Sequence, residues 1–286
     1  MIWKRHYWMP PEHGTWFMWI GPLLRGMLAA RRVNLDLIGL TVLRLSAILA
    51  RQPVTIVFKA LVGRRSRADV RPASVVMATL GGLAIALLVL MLARGHAYLA
   101  WLGLAGLPVL AWQLSLVAKR EERQMGIELV GAGVLALAAP AAYWVALGEA
   151  RAAGWGLWAL AWLYAAASIV FIYLRLEQRR WNEWPPRYER LRRGVRVLLY
   201  AVVNLIVVVA LTALRWVPPW AWVGFALAVP HIALGVMTPA VGARPVRIGL
   251  EQAGATLIFS TLLGVSYWPA LGVWGSGQGP LLPWWC

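Results

Sequence analysis

The chain has 286 residues, of which 61% are hydrophobic and only 14% charged, where a soluble globular domain carries about a quarter charged residues. Its charge is lopsided, with 28 Lys and Arg against 11 Asp and Glu for a net +17. That excess falls in short blocks between long apolar runs. This pattern argues against the basic surface of a soluble nucleic-acid binder and for a multi-pass membrane protein that holds its orientation by charge.

The 19 tryptophans agree, because indole favours the membrane interface. The opening residues MIWKRHYWMPPEHG contain no apolar h-region, so no cleavable signal is expected. The single cysteine, Cys286, cannot form an internal disulfide. The expectation is one all-α integral membrane domain over residues 1–286, a helical bundle with about nine crossings.

A hydrocarbon core about 30 Å thick needs about 20 apolar helical residues. The first run, roughly 15–30, follows MPPEHGTWFMWIGP. Pro10 and Pro11 stop regular structure, Thr15 can cap a helix beginning at Trp16, and Gly14 permits a turn. Glu12 and His13 therefore fall at the mouth of this helix, as an entry device or as a reactive pair. The second span, roughly 33–51, carries Asp36 and Arg44, with Arg25 of the first span expected to neutralise Asp36. Spans three and four cover roughly 73–93 and 97–117, and span five roughly 126–147. Glu128 opens span five directly after KREER, where a carboxylate suits the positive end of a helix. Spans six to nine cover roughly 153–174, 196–214, 219–237 and 250–272. His231 follows Pro230 in span eight and is expected to be neutral and hydrogen-bonded. Glu251, after Arg247, is read as a helix-end carboxylate in span nine.

The basic residues test this count. With residues 1–14 on the inner side, the outer connections hold Arg31, Arg32, Arg94, Arg151 and Arg215, and Arg25 and Arg44 lie within spans. All other Lys and Arg fall inside, a strong positive-inside bias. It implies a cytoplasmic membrane with the N-terminus inside and the C-terminus outside. The long connections 52–72 and 175–195 suit anionic lipid or an anionic ligand. Metal and nucleophile motifs are missing: there is no HExxH, GxSxG, Walker loop or GxGxxG before a helix. No metal site and no cofactor is assigned.

Three stretches resemble the YwiC-like family of bacterial membrane proteins. PEHGTWFMWIGPLLRG looks like its opening Glu-His-Gly-Ala-Trp signature, LARQPV at 49–54 like its Ala-Arg-Gln-Pro step, and KREERQMGIELVGAGVLALAAPAAYW at 119–144 like a later segment. Pro11, Thr15 and Gln124 replace the family's usual basic residue, alanine and serine. The resemblance is strongest over 9–180 and brings no biochemical role with it. A more distant likeness is to UbiA-type prenyltransferases, which also have nine spans with long inner connections after the second and sixth. Their Asp-rich magnesium motifs have no counterpart here, since the first long connection holds only Asp69 and the second spreads Glu177, Glu183 and Glu189 apart.

Three functions follow as expectations. In the first, a UbiA-like protein binds or modifies a lipid or isoprenoid carrying an anionic group, as a lipid-transferase-like enzyme if it is catalytic. Glu12, His13, Arg51, Glu122, Arg123, Glu128 and Arg175 would line one inner-side cavity. Glu12, His13 and Glu128 would be the catalytic candidates. Arg51, Glu122, Arg123, Arg175 and Trp16 would bind substrate. The second is a small-solute transporter, for which Pro22, Pro108, Pro140 and Pro230 offer helix breaks. The third is a non-catalytic scaffold. The expected partners are the bilayer and an isoprenoid or anionic lipid, with no nucleic acid.

Overall fold

The computed structural model describes residues 5–9, 14–119 and 125–268, and every regular element among them is helical. A short α1 (Arg5–Trp8) precedes α2 (Gly14–Ala30), α3 (Leu35–Leu61) and α4 (Val70–Ala93). Then come α5 (Tyr98–Leu104) with α6 (Gly106–Lys119), and α7 (Met125–Ala136) with α8 (Ala138–Leu147). Four helices complete the bundle: α9 (Ala153–Gln178), α10 (Arg187–Ala213), the shorter α11 (Trp222–Met237) and α12 (Pro245–Ser266).

Among the described residues, seven segments are long and apolar enough to cross a membrane: Leu35–Leu61, Arg67–Ala93, Tyr98–Leu116, Met125–Leu147, Ala153–Gln178, Arg187–Ala213 and Pro245–Ser266. The other two expected spans are shorter, 17 residues in α2 and 16 in α11. At 1.5 Å per residue each reaches only about 25 Å, less than the apolar core of a bilayer. Two boundaries also moved. Helix α3 continues past Arg51 and Pro53 to Leu61, and α10 begins at Arg187. Proline inside a membrane helix is tolerated because neighbours re-satisfy the freed backbone groups.

The connections gather on two opposite faces. On one, α1 docks against α3 and α4, where the buried Tyr7 packs with Ile56, Ala73 and Val76. The Tyr7 hydroxyl donates to Asp69 Oδ1 at 2.8 Å, and this bond to a carboxylate raises the phenol above its ordinary pKa. The ends of α9 and α11 share this basic face, with Gly242 N donating to Arg179 O at 3.2 Å and Arg190 reaching Met237 O. On the opposite face, Asn34 caps α3 by accepting from Leu37 N at 2.8 Å and ties it to Val145 O at 3.1 Å. There too Trp268 Nε1 donates to Leu28 O at 2.8 Å, and the Arg31 guanidinium lies 4.6 Å from the Trp268 ring centroid.

Small residues bring the central helices together. Helix α8 is buried over most of its length, with Ala138, Ala139, Ala141, Ala142 and Val145 packed between α2 and α9. Gly26 of α2 approaches so closely that an added Cβ would overlap Ala139 O, the small-residue contact by which membrane helices pack. Across α7 and α9, Trp158 Nε1 donates to Gly133 O at 2.9 Å and Trp162 Nε1 to Leu129 O at 2.8 Å.

Candidate functional site: a two-compartment cavity in the last four helices

At the basic face, α11 ends at Met237 and α12 begins at Pro245, and the C-terminal turns of α9 pass behind them. The gap forms a cavity of about 560 Å³ lined by Phe171, Arg175, Trp184, Arg247, Glu251 and their neighbours. Arg175 builds its wall. Its Nη1 donates to Gly235 O at 3.1 Å and Thr238 O at 2.8 Å, so it satisfies carbonyls at the end of α11. Gln178, almost fully buried, donates to the same Gly235 O at 3.1 Å and accepts from Ala240 N at 3.3 Å. Gly235 is required here, because an added Cβ would overlap the Phe171 ring.

Glu251 bridges two arginines across the opening. It accepts from Arg175 Nη2 at 3.2 Å and from Arg247 Nε at 3.0 Å. The Arg247 side chain is 77% exposed, so its remaining donors face the opening. Two cations against one carboxylate leave the mouth positive.

A second compartment of about 260 Å³ continues inward and is lined mainly by apolar groups, among them Ala167, Phe225, Ala228, Ile232, Phe259 and Leu262. Phe171, His231 and Gln252 line both compartments, so the two adjoin at these side chains. Along α9 the lining runs from Arg175 to Tyr164, about 16 Å at 1.5 Å per residue. Leu227 of α11 and Ile258 of α12 also line it while remaining 53% and 61% exposed. The inner compartment therefore opens sideways between these helices, toward the surface that lipid would cover. Chemically, the arrangement can hold a charged group at the mouth and an apolar group inside.

Of the residues expected at one site, Arg175 lines this cavity. Glu128 lies on the other side of α9, where Tyr173 donates its hydroxyl to Glu128 Oε1 at 2.7 Å. Tyr173 and Arg175 are two residues apart, and such positions do not share a helix face. Arg51 is exposed within α3, and neither it nor Glu128 lines either compartment. Glu12, His13, Glu122, Arg123 and the side chain of Trp16 lie outside the described residues.

Three sequence expectations changed. Asp36 pairs with Arg94 and with His96, whose Nε2 is 3.1 Å from Asp36 Oδ2, rather than with Arg25. Arg25 is 2% exposed and donates instead to Ser260 Oγ at 3.1 Å, with the Tyr164 and Phe259 ring centroids 5.0 Å away. His231 was expected to be hydrogen-bonded, yet its buried Nε2 has no partner among the described residues. The cavity roles of His231, Gln252 and Glu251 were missed. The one available signal was the Arg247–Glu251 spacing, which marks a pair on one helix face.

Described residues that are helical in every regular element, with seven segments among them long and apolar enough to cross a membrane, make this a multi-pass membrane protein. Residues 9–143 match the family model described as YwiC-like protein, so this N-terminal part of the chain carries the YwiC-like sequence. No curated protein and no solved structure matches the chain. The matched part ends within α8, and the cavity lies beyond it in α9 to α12.

Proposed function

We propose that this protein binds, and in its full activity modifies or hands on, an amphiphile of the lipid or isoprenoid class whose anionic group sits at the basic face. The observation that carries the reading is the pair of adjoining cavities, one with a cationic mouth and the other apolar and laterally open. A bilayer-dissolved ligand would enter between α11 and α12, leave its tail among Phe225, Ala228 and Phe259, and bring its head to Arg247 and Arg175. Guanidinium groups suit that head because they donate in a fork to carboxylate or phosphate. By the positive-inside rule the basic face is cytoplasmic, in a bacterial inner membrane. That orientation puts α1 inside and the end of α12 outside.

Glu251 already accepts from both Arg175 and Arg247. An incoming anion must therefore compete with a built-in carboxylate, and the two charges at the mouth should act in opposite directions. The test is mass spectrometry of lipids that copurify with wild type, Arg247→Gln and Glu251→Gln. Anionic amphiphiles should be enriched over bulk lipid in wild type, fall about tenfold in Arg247→Gln, and rise in Glu251→Gln. A factor of ten corresponds to the ordinary worth of one charge-assisted hydrogen bond. The same bulk lipid profile in all three proteins defeats the reading. Arg175 is the wrong residue to mutate first, because it also holds the end of α11.

A further inference from the structure

The boundary between the two compartments carries polar groups that nothing in the protein satisfies. His231 Nε2 is buried without a hydrogen-bond partner. Gln252, as a residue 9% exposed, lines both compartments. Ser168 lines the inner compartment one helical turn from Phe171, which lines both. Neither Gln252 nor Ser168 makes a side-chain hydrogen bond among the described residues. A buried polar group left unpaired costs about 1–3 kcal/mol, and most such groups in folded proteins are paired. A buried His231 Nε2, with Gln252 of α12 and Ser168 of α9 lining the same inner compartment and making no side-chain hydrogen bond of their own, implies something that arrives to pair it.

Their chemistry describes the missing partner. Gln252 offers two donors and one acceptor, Ser168 one donor with acceptor lone pairs, and His231 Nε2 either role by tautomer. A bare hydrocarbon at this point would leave all of them unpaired. An oxygen-bearing linkage, with a hydroxyl to donate and a carbonyl to accept, pairs them. The volume limits the rest. At about 30 Å³ per water-sized group, the 260 Å³ inner compartment holds about nine such groups. That is room for the first part of one chain, whose remainder leaves through the opening at Leu227 and Ile258.

We infer that the ligand is a single-chain anionic amphiphile with a hydroxyl-and-ester linkage below its head group, of lysophospholipid type, and that Ser168, His231 and Gln252 read this linkage. The inference rests on the amphiphile reading above and sharpens its ligand class. His231, between Arg175 and the tail compartment, is a binding residue in this account.

The experiment is titration of the full chain in maltoside micelles, read by native mass spectrometry, with three probes. These are 1-oleoyl lysophosphatidate (one chain, with linkage), oleyl phosphate (one chain, no linkage) and dioleoyl phosphatidate (two chains). Wild type should bind lysophosphatidate at least tenfold more tightly than either of the others. His231→Phe and Gln252→Leu should remove that preference while leaving oleyl phosphate within about threefold of wild type. His231→Gln, which keeps a donor, should restore most of it and guards against misfolding as the explanation. Equal binding of the two-chain probe, or a preference indifferent to both substitutions, overturns the linkage assignment. Failure of all three anionic probes to bind wild type instead defeats the amphiphile reading itself.

Discussion

The two ends of the bundle handle buried polarity in opposite ways. At the face where α2 meets α3 and α4 meets α5, Asp36, Arg94, His96, Tyr98 and Asn34 all find partners within the protein. Asp36 takes Arg94 and His96, His96 Nδ1 lies 2.8 Å from the Tyr98 hydroxyl, and Asn34 both caps α3 and reaches Val145 O. Among α9, α11 and α12, Arg175 is tied to carbonyls and to Glu251, but Ser168, His231 and Gln252 are left open to a cavity. The first arrangement is a closed fastening. The second holds back hydrogen bonds at a cost in stability, which only a ligand or trapped water would recover. The contrast nearly follows the chain's division: apart from Val145 the fastening lies within the YwiC-like residues 9–143, and the cavity lies in the helices after them.

The densest point of the closed half gives the largest expected effect. In Gly26→Val the new side chain meets backbone, Ala139 O, which cannot swing aside. Overpacking of this kind costs about 3 kcal/mol or more, so the variant should lose most of its yield or its thermal midpoint in detergent. Gly81→Val in α4, where an added Cβ meets nothing within 4 Å, should stay within about 0.5 kcal/mol of wild type. If both tolerate valine, α2 and α8 are not in the close contact described.

Next in size is Asp36→Ala, which strands Arg94 and His96 together. The loss should be about 2 kcal/mol, the range for hydrogen bonds to a charged group, read as a drop in thermal midpoint. Binding of anionic amphiphile should be unchanged, because no residue of this cluster lines either compartment. A substitution here that altered ligand affinity would show the two ends to be coupled and would erase the contrast.

Periodicity and charge made the scaffold readable. Long apolar runs separated by arginine blocks define the rods and put Arg179, Arg190 and Arg244 on one face before any coordinates are seen. Pairing within the scaffold was less readable. Arg25 looked like the partner of Asp36 by sequence proximity, but it lies five residues before the end of α2, about 7 Å down the helix. Asp36 begins α3 at the turn itself, where Arg94 and His96 also end up. The cavity was hidden for a further reason. Ser168, His231 and Gln252 come from three helices, and only the rotation of each about its own axis brings them together. Apolar periodicity shows that rotation poorly in a helix apolar on every side, as these nearly are.

The smallest effect separates the two ends most sharply, because its sign is reversed. Gln252→Leu takes a polar group with no partner out of a nearly buried position and leaves a similar volume of hydrocarbon. In ligand-free protein this should raise stability by about 1 kcal/mol, the lower end of the cost of an unpaired group, seen as a small rise in thermal midpoint. Added lysophosphatidate should then stabilise the variant less than it stabilises wild type, because stabilisation by a ligand grows with its affinity. The two melting curves should therefore approach or cross as ligand is added. A polar group kept for packing would give a loss of stability in both conditions with parallel curves, since leucine would disturb the same neighbours whether or not the cavity is filled. Only a side chain kept for a visitor is better removed when the visitor is away.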